Sequence, residues 1–128
     1  MAAAKLTLPV IEQGATYRHT LTWFQSDGIT PVNLAGCSAK MQIRSTVESS
    51  SVIIELSTAN GRITINEYLG KIYFLIADED TTLLTPIKGA VYDLEISFLD
   101  GTITRLCEGK VTISPEVTRN VWYYCRNN

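Results

Sequence analysis

The residues best suited to catalysis are few and scattered along this sequence. His19 is the only histidine, and the three cysteines are Cys37, Cys107 and Cys125. Nucleophilic catalysis needs a serine or cysteine beside a base and an orienting acid, and no GxSxG-type segment is present. A zinc site needs four ligands, which this pool would have to supply from distant positions. We therefore predict no catalytic residues, no metal site and no cofactor, and a protein that is not an enzyme.

The cysteines are odd in number and include no CxxC pair. The sequence begins without a basic segment followed by an apolar run, so we expect no signal peptide and folding in a reducing cytoplasm. Free thiols packed as small hydrophobic groups are then the expected state. The alternative is a disulfide between chains, formed after release from the cell. Cys125 is the candidate for that disulfide because it lies near a terminus.

Two groups of carboxylates have alternative interpretations. Asp78, Glu79 and Asp80 lack the spaced oxygen ligands and the turn glycine of a calcium loop, so we interpret them as helix-capping and dipole-compensating residues. Asp93 and Glu95 share one face of a predicted strand, and paired carboxylates can act as acid and base. On an exposed sheet face such carboxylates more often lie opposite lysine or arginine on the next strand, and we favour that interpretation.

A run of aromatic residues near the end of the sequence is the best candidate for binding. Trp122, Tyr123 and Tyr124 are consecutive, and Arg119 and Arg126 flank them. Aromatic residues and arginine are enriched at the cores of protein interfaces, where they provide much contact area. These five residues are therefore the candidate protein interface. The alternative is that they pack on their own domain, as a terminal strand would.

Composition restricts both the class of protein and the class of partner. The 128 residues fit one domain, and 45% hydrophobic with 19% charged residues is typical of a globular protein. The net charge is −2 with both signs interspersed, so no basic stripe is available to bind nucleic acid. No apolar run approaches the roughly 20 residues that a membrane helix needs. We expect a protein partner. We expect no binding to nucleic acid or to a membrane, and no small-molecule substrate.

Alternation of apolar and polar residues, with a period of two, is the dominant pattern and predicts β-strands. The predicted strands span residues 16–24, 38–45, 52–56, 62–66, 71–77, 90–98 and 102–114. In the first strand Tyr17, His19, Leu21 and Trp23 share a face, so we expect His19 to be packed rather than catalytic. Residues 6–10 suggest an additional edge strand.

The number and spacing of these strands predict the fold class. Seven to eight short, mostly antiparallel strands with one short helical turn near residues 78–84 indicate an all-β protein. We expect a single immunoglobulin-like β-sandwich. A closed β-barrel is the alternative, because periodicity does not show whether a sheet closes. The domain is expected to span residues 1–128, with a core at about 12–119 and an aromatic tail at 120–128.

Two Gly-containing dipeptides predict how neighbouring strands connect. Asn60-Gly61 is the stronger hairpin signal, because a type I′ turn needs a positive φ at both of its central residues. Asp100-Gly101 predicts a second hairpin, which leads into the last predicted strand.

Two strands have features that suggest irregularity or contact. Gly109 lies within the last predicted strand and indicates a bulge or bend there. Residues 71–77 are apolar on both faces of their strand. This pattern indicates either a central strand covered on both sides or a strand whose outer face contacts a partner.

Several segments follow one another in an order that is shared with other proteins. They are Gln13-Gly14, Asn33-Leu34-Ala35-Gly36, Ala39-Lys40-Met41-Gln42-Ile43-Arg44, Ile76-Ala77-Asp78-Glu79-Asp80-Thr81, Val91-Tyr92-Asp93-Leu94-Glu95-Ile96, Asp100-Gly101-Thr102-Ile103-Thr104-Arg105-Leu106 and Gly109-Lys110-Val111-Thr112-Ile113-Ser114-Pro115-Glu116-Val117-Thr118-Arg119. This order resembles small virion-associated proteins of tailed bacteriophages and prophages, and the N-terminal β-sandwich domain of phage baseplate upper proteins. The resemblance covers about residues 12–119. Asn33 stands where such sequences often have aspartate, and residues 120–128 depart further from the pattern.

The resemblance implies a structural role without catalytic residues. Proteins of this kind attach to a tail, baseplate or capsid and assemble in multiple copies. We therefore predict a bacteriophage virion structural protein, a tail or baseplate component or a fibre adaptor that acts through protein–protein contacts. The expected partners are other virion proteins, with multiple copies or a homo-oligomer in the particle. The expected location is the virion, assembled in the host cytoplasm.

Two alternatives remain open. The same sandwich could act as a capsid decoration or cement protein, because that role needs the same stable fold. The second alternative is a carbohydrate- or receptor-binding module, which needs exposed aromatic rings beside carboxylates or amides. Tyr123, Tyr124, Asn127 and Asn128 could supply those groups.

Overall fold

The computed structural model describes residues 3–118, which form two facing β-sheets. The elements are β1 (Ala4–Lys5), β2 (Ile11–Glu12), β3 (Tyr17–Thr22), β4 (Ser38–Arg44), β5 (Ile54–Ser57), β6 (Ile63–Asn66), β7 (Lys71–Ile76), α1 (Asp78–Thr81), β8 (Ile87–Ser97) and β9 (Ile103–Ser114). Sheet A has the order β1-β9-β8-β4-β5, with β2 also paired to β9, and sheet B has the order β3-β7-β6. Among these strands, β1 and β2 pair with β9 in parallel and the other pairs are antiparallel.

This arrangement is an immunoglobulin-like sandwich, as predicted. The two sheets enclose one shared core, and the division of strands between them is that of immunoglobulin domains. The two sheets share no ladder among the described residues, so the chain forms a sandwich rather than a closed barrel. Nine strands are present in this part of the chain, rather than seven to eight. The edge strand predicted at residues 6–10 is wrong in its position, because these residues lie between β1 and β2. Leu6 and Leu8 still donate backbone hydrogen bonds to β9, whereas Pro9 has no N–H to donate to a ladder.

The core lies between the sheets and follows from the alternating pattern. In β8, Leu94 and Ile96 are fully buried, whereas Glu95 between them points to the outer face. The largest fully buried side chains come from both sheets and the connections between strands: Phe74, Ile11, Leu34, Met41, Ile43, Leu56, Ile63, Ile72, Ile76, Leu94, Ile96 and Ile113. Burial of each such side chain stabilises the fold by about 1.5–3 kcal/mol relative to exposure.

The hairpin predicted at Asn60-Gly61 is wrong. The strand before this turn, β5, lies in sheet A, and the strand after it, β6, lies in sheet B. Gly61 has a φ of 80°, but Asn60 does not have the positive φ that a type I′ turn requires. The Asn60 amide instead organises a crossing between the sheets, because its Oδ1 accepts hydrogen bonds from the N–H groups of Ser57 and Arg62, each at 3.0 Å.

The bulge predicted at Gly109 is also wrong, and this glycine has a different role. Gly109 pairs with Tyr92 in the β8–β9 ladder, and the register shifts of that ladder lie elsewhere. A Cβ atom at Gly109 would collide with the carbonyl group of Leu6. The Tyr92 hydroxyl donates a hydrogen bond to the same carbonyl oxygen at 2.6 Å. Gly109 therefore allows the N-terminal segment to approach β9 closely.

The predicted helical turn is confirmed as α1. Ala77 rather than Asp78 occupies the N-cap and no side chain caps the helix, so the capping half of the interpretation is wrong. The three carboxylates do lie in the first turn, the position expected for dipole compensation. Thr81 is fully buried, and its hydroxyl donates to the Ala15 carbonyl at 2.9 Å and accepts from the Gly14 N–H at 3.1 Å. These bonds attach α1 to the turn between β2 and β3, since α1 has no long apolar face of its own.

Candidate interaction surfaces

The structure places His19 in a packed environment. His19 is half-buried in β3, and its ring stacks on Phe74 with centroids 6.3 Å apart. Burial lowers the pKa of His19 below its ordinary value, which favours the neutral ring. Within residues 3–118, no three His, Cys, Asp or Glu side chains are grouped so that they could hold a metal ion. The same part of the chain contains no helix long and apolar enough to cross a membrane.

The two described cysteines are free thiols. Cys107 is buried in β9, and burial raises the pKa of its thiol. Cys37 is half-buried, and its pKa is raised first by burial and then by the nearby carboxylates of Asp100 and Glu67. Both environments favour the protonated thiol, which is the less reactive form. Cys125, the candidate for a disulfide between chains, lies outside the described residues.

The candidate interface predicted from the sequence lies beyond the described residues as well. Its members are Arg119, Trp122, Tyr123, Tyr124 and Arg126. Asn127 and Asn128, considered for carbohydrate binding, lie in the same segment. The roles of these residues stay predictions. Residues 3–118 form other surfaces that could bind a partner.

One end of the sandwich is formed by three connections that are far apart in the sequence. We call the following connections together the loop end: residues 23–37 between β3 and β4, residues 67–70 between β6 and β7, and residues 98–102 between β8 and β9. The strand register brings the first two together, because Lys71 at the start of β7 pairs with both Thr22 and Asn66. The predicted Asp100-Gly101 hairpin is confirmed and forms the third connection, with Gly101 at a φ of 92°.

Contacts between the three connections hold the loop end together. The Trp23 N–H donates to the Gly70 carbonyl at 2.8 Å, and the Leu34 N–H donates to the Glu67 carbonyl at 3.0 Å. Glycine is required at position 70, because its φ is 61° and a Cβ there would lie 2.7 Å from the Trp23 carbonyl oxygen. The rings of Trp23 and Phe98 have centroids 6.1 Å apart, so the first and third connections are in contact.

An aspartate or asparagine side chain orders each connection locally. The Asp27 Oδ1 accepts a hydrogen bond from the Ile29 N–H at 2.8 Å. The Asn66 Oδ1 accepts one from the Tyr68 N–H at 3.2 Å. Asp100 makes the same type of bond, at 2.8 Å, with the N–H group two residues further on. These Asx turns replace water as the partner of the loop backbone, so the loops are ordered before any partner binds.

The ordered loops hold large apolar side chains in solvent. Ile29, Tyr68 and Leu99 are 79%, 80% and 82% exposed. The exposed apolar residues of the loop end and of the adjoining start of β9 are Phe24, Ile29, Tyr68, Leu69, Leu99 and Ile103. Single exposed apolar residues are common, but a group of them on one surface marks an interaction site. The loop end is therefore the best candidate binding surface of the described residues.

The charge of the loop end is negative. Its carboxylates belong to Asp27, Glu67 and Asp100, and its three connections contain no lysine or arginine. Hydrogen bonds from Thr30 hold the pKa of Asp27 below its ordinary value, and a hydrogen bond from Thr102 does the same for Asp100. Both carboxyl groups are therefore charged at neutral pH. A partner for this surface needs apolar groups together with positive charge.

The sequence analysis missed the loop end as a functional surface. Its three connections meet only through the pairing of distant strands, which no local pattern shows. A local signal was nevertheless present, because Ile29 directly follows an Asp-Gly pair and Leu99 directly precedes one. Both residues are held in solvent beside their turns.

The outer face of sheet A forms a second surface, a shallow groove of about 540 Å³ with mixed charge. Arg105 on β9 lies 3.5 Å from Asp93 and 3.6 Å from Glu108, and Lys5 lies 3.0 Å from Glu108. The interpretation of Asp93 and Glu95 as neighbours of basic residues across the strands is confirmed, because Asp93 pairs with Arg105 and Glu95 lies opposite Lys40 and Arg105. Exposed ion pairs of this kind contribute little to stability. Five lysine or arginine residues and three carboxylates line the groove, so these ion pairs neutralise only part of its positive charge.

The outer face of sheet B is a third surface. Tyr73 and Leu75 on β7 are 36% and 40% exposed there, so the interpretation of this strand as covered on both sides is wrong for the described chain. Their neighbours across the strands include Thr20, Thr64 and Arg18. Two partly exposed apolar residues among polar ones make a smaller patch than the loop end. The alternative that this face contacts a partner stays a prediction.

Known proteins that resemble this chain give no indication of its function. No family model matches the sequence, and no curated protein matches it. One solved structure similar to this chain is CopC from Methylosinus trichosporium OB3b, at 11% sequence identity and a TM-score of 0.44. The match covers 91% of this chain and 90% of that chain.

Proposed function

We propose that this chain is a structural domain of a tailed-bacteriophage particle, in a tail or baseplate component or a fibre adaptor, and that it binds another virion protein through the loop end. The phage role depends on the order of sequence segments described above. The binding role is supported by one observation, the exposed apolar group on three hydrogen-bonded connections, in which Ile29, Tyr68 and Leu99 are the most exposed.

The loop end has the physical properties of a protein-binding surface. Burying each large apolar side chain against a partner is worth up to about 1.5–3 kcal/mol. The Asx turns at Asp27, Asn66 and Asp100 already order the loops, so little conformational entropy is lost on binding. The surrounding carboxylates favour a partner with lysine or arginine beside its apolar surface. A capsid decoration protein would use the same contact, and only its location in the particle would differ.

Incorporation into particles tests this proposal. Phage or prophage encoding this sequence would be propagated with the wild-type chain, with Ile29→Ser plus Leu99→Ser, or with Val47→Ser. Val47 is the matched control, because it is 79% exposed like Ile29 but lies between β4 and β5, outside the loop end. Quantitative mass spectrometry of purified particles would measure the copy number of the chain.

We expect the wild-type chain and the Val47→Ser variant to be incorporated equally. The copy number of the variant with Ile29→Ser and Leu99→Ser should be lower by about tenfold or more. This change corresponds to a loss of about 1.4 kcal/mol or more in binding free energy. Absence of the wild-type chain from the particle would overturn the phage role. Equal incorporation of all three chains would overturn the role of the loop end. Cryo-electron microscopy of the same particles would distinguish tail or baseplate from capsid.

A further inference from the structure

The loop end requires a partner with apolar groups and positive charge, and this chain contains such a segment itself. Residues 119–128 include Trp122, two tyrosines and two arginines, and no aspartate or glutamate. The loop end contains three carboxylates and no lysine or arginine. Aromatic residues and arginine are also the types that dominate the energy of protein interfaces. The two segments are therefore complementary in both apolar character and charge.

The described chain ends at the opposite end of the sandwich from the loop end. The Glu116 N–H donates to the Gln13 Oε1 at 2.9 Å, and the Gln13 N–H donates to the Ser114 carbonyl at 3.0 Å. The Gln13 amide also donates to the Leu84 carbonyl at 3.0 Å, which holds this corner beside α1. The strand β9 runs from the loop end at Ile103 to this corner. Glu116 is thus fixed one full strand length away from the loop end.

The aromatic run, residues 122–124, lies too few residues after Glu116 to reach the loop end of its own molecule. From the first to the last of the 12 residues of β9 there are 11 steps of about 3.3 Å, which separate the two ends of the sandwich by about 36 Å. Tyr124 follows Glu116 by eight residues, which span at most about 28 Å when fully extended. The aromatic run of one copy can therefore contact a loop end only in another copy.

We propose that the loop end of one copy binds Arg119 and the aromatic tail of a second copy, so that the chain assembles head to tail. This inference depends on the proposed function, in which the loop end is a protein-binding surface. The contact is heterologous, because it joins two different surfaces, and each pair retains one free loop end and one free tail. Copies are therefore added in one direction until the assembly closes into a ring or ends on another virion protein.

Mixing two defective full-length variants tests this arrangement. One variant carries Ile29→Ser and Leu99→Ser in the loop end, and the other carries Trp122→Ala and Tyr124→Ala in the tail. Sedimentation velocity would measure the mass of each variant and of their mixture. We expect the wild type to form species larger than a dimer, and each variant alone to stay a 14.2 kDa monomer. The mixture should form a 1:1 dimer and nothing larger, because it contains only one kind of intact contact.

Three controls separate a lost contact from a lost fold. Val47→Ser should self-associate like the wild type, because it removes an equally exposed apolar side chain elsewhere. Thermal unfolding followed by circular dichroism, at a dilution where the wild type is monomeric, should give similar midpoints for the wild type and the loop-end variant, because Ile29 and Leu99 are exposed. Raising the salt concentration from about 50 mM to about 500 mM should weaken self-association, because salt screens the contact between carboxylates and arginines.

Several outcomes would overturn the proposal. A wild-type chain that stays monomeric at about 1 mM would exclude a useful contact between copies. A tail variant that self-associates like the wild type would exclude the tail as the occupant. A mixture that forms no dimer would exclude the head-to-tail arrangement.

The outcomes also separate this inference from the proposed function. If the variants enter particles as described above but the wild type does not self-associate, only the head-to-tail inference fails, and the loop end binds a different protein. If self-association depends on the loop end and the tail as expected but the chain is absent from particles, the phage role fails and the contact between copies stands.

Discussion

Single hydrogen-bonding groups at a few residues connect segments that are far apart in the sequence. The Tyr17 hydroxyl donates to the Pro9 carbonyl at 3.0 Å, and the Tyr92 hydroxyl donates to the Leu6 carbonyl at 2.6 Å. Both tyrosines thereby attach the N-terminal segment to the sandwich, where its pairing with β9 is interrupted around Pro9. Loss of a partner from such a buried bond costs about 1–3 kcal/mol, because the remaining group stays unsatisfied.

Burial of Tyr17 predicts a specific dependence of stability on pH. Burial raises the pKa of Tyr17 from 10.0 to about 12, so the unfolded chain loses this proton at a lower pH than the folded chain. Between these two pH values the folded state binds more protons, and the free energy of unfolding therefore falls as pH rises. Urea titrations over this pH range should show a smaller fall for Tyr17→Phe than for the wild type. Tyr68→Phe, which removes a hydroxyl from an exposed side chain, is the control, and identical slopes for all three chains would contradict the prediction.

At the scale of strands and turns, the period-two pattern was sufficient to predict most of the sandwich. It failed where an element depends on a partner that is distant in the sequence. The Asn60-Gly61 turn has the local chemistry of a hairpin, yet β5 and β6 pair with β4 and β7 in different sheets. Gly109 suggested a bulge, because the close approach of Leu6 is not visible from neighbouring residues.

The candidate site was less predictable from the sequence than the fold. The strands follow from alternation because each buries one face, but the loop end exists only where three separate connections meet. The contacts between Trp23, Gly70 and Phe98 that join those connections follow from the strand register. The sequence indicated the aromatic tail as a binding segment, and it lies outside the described residues.

The close approach of the N-terminal segment to β9 predicts an energetic coupling. Gly109→Ala should displace Leu6 and destabilise the fold by about 1–3 kcal/mol, the usual cost of overpacking. Tyr92→Phe in the same background should then cost little, because the hydroxyl has already lost its acceptor. Urea unfolding of the two single variants and the double variant would measure the coupling as a double-mutant cycle.

A distant substitution provides the control for this cycle. Thr81→Val removes a buried hydroxyl that bonds to the turn between β2 and β3, without contact to Gly109 in the structure. Its cost should add to that of Gly109→Ala within about 0.5 kcal/mol. Additive costs for Gly109→Ala and Tyr92→Phe would show that Leu6 keeps its position and would contradict the proposed role of this glycine.

At the scale of the whole molecule, one core between the two sheets predicts cooperative unfolding. The sequence contains two tryptophans, so Trp122→Phe leaves Trp23 as the single fluorescent reporter of the loop end. Urea transitions followed by Trp23 fluorescence and by far-ultraviolet circular dichroism should coincide, because the strands and the loop end share one core. A fluorescence transition at lower urea concentration would show that the loop end unfolds separately and would contradict a single cooperative domain.

The pairing of β1 and β2 with β9 also has a consequence for the moment at which the protein becomes folded in a cell. Among the described strands, the earliest to leave the ribosome have as their partner the last one, β9, which also completes the ladder with β8. Translation proceeds at about 5–20 residues per second, so the first strands wait several seconds for their partner to be synthesised. Until residue 114 has emerged, sheet A lacks β9, and β1, β2 and β8 are left without their partner and present open edges. Nascent chains are therefore most exposed to chaperones and to one another just before synthesis of this segment is finished.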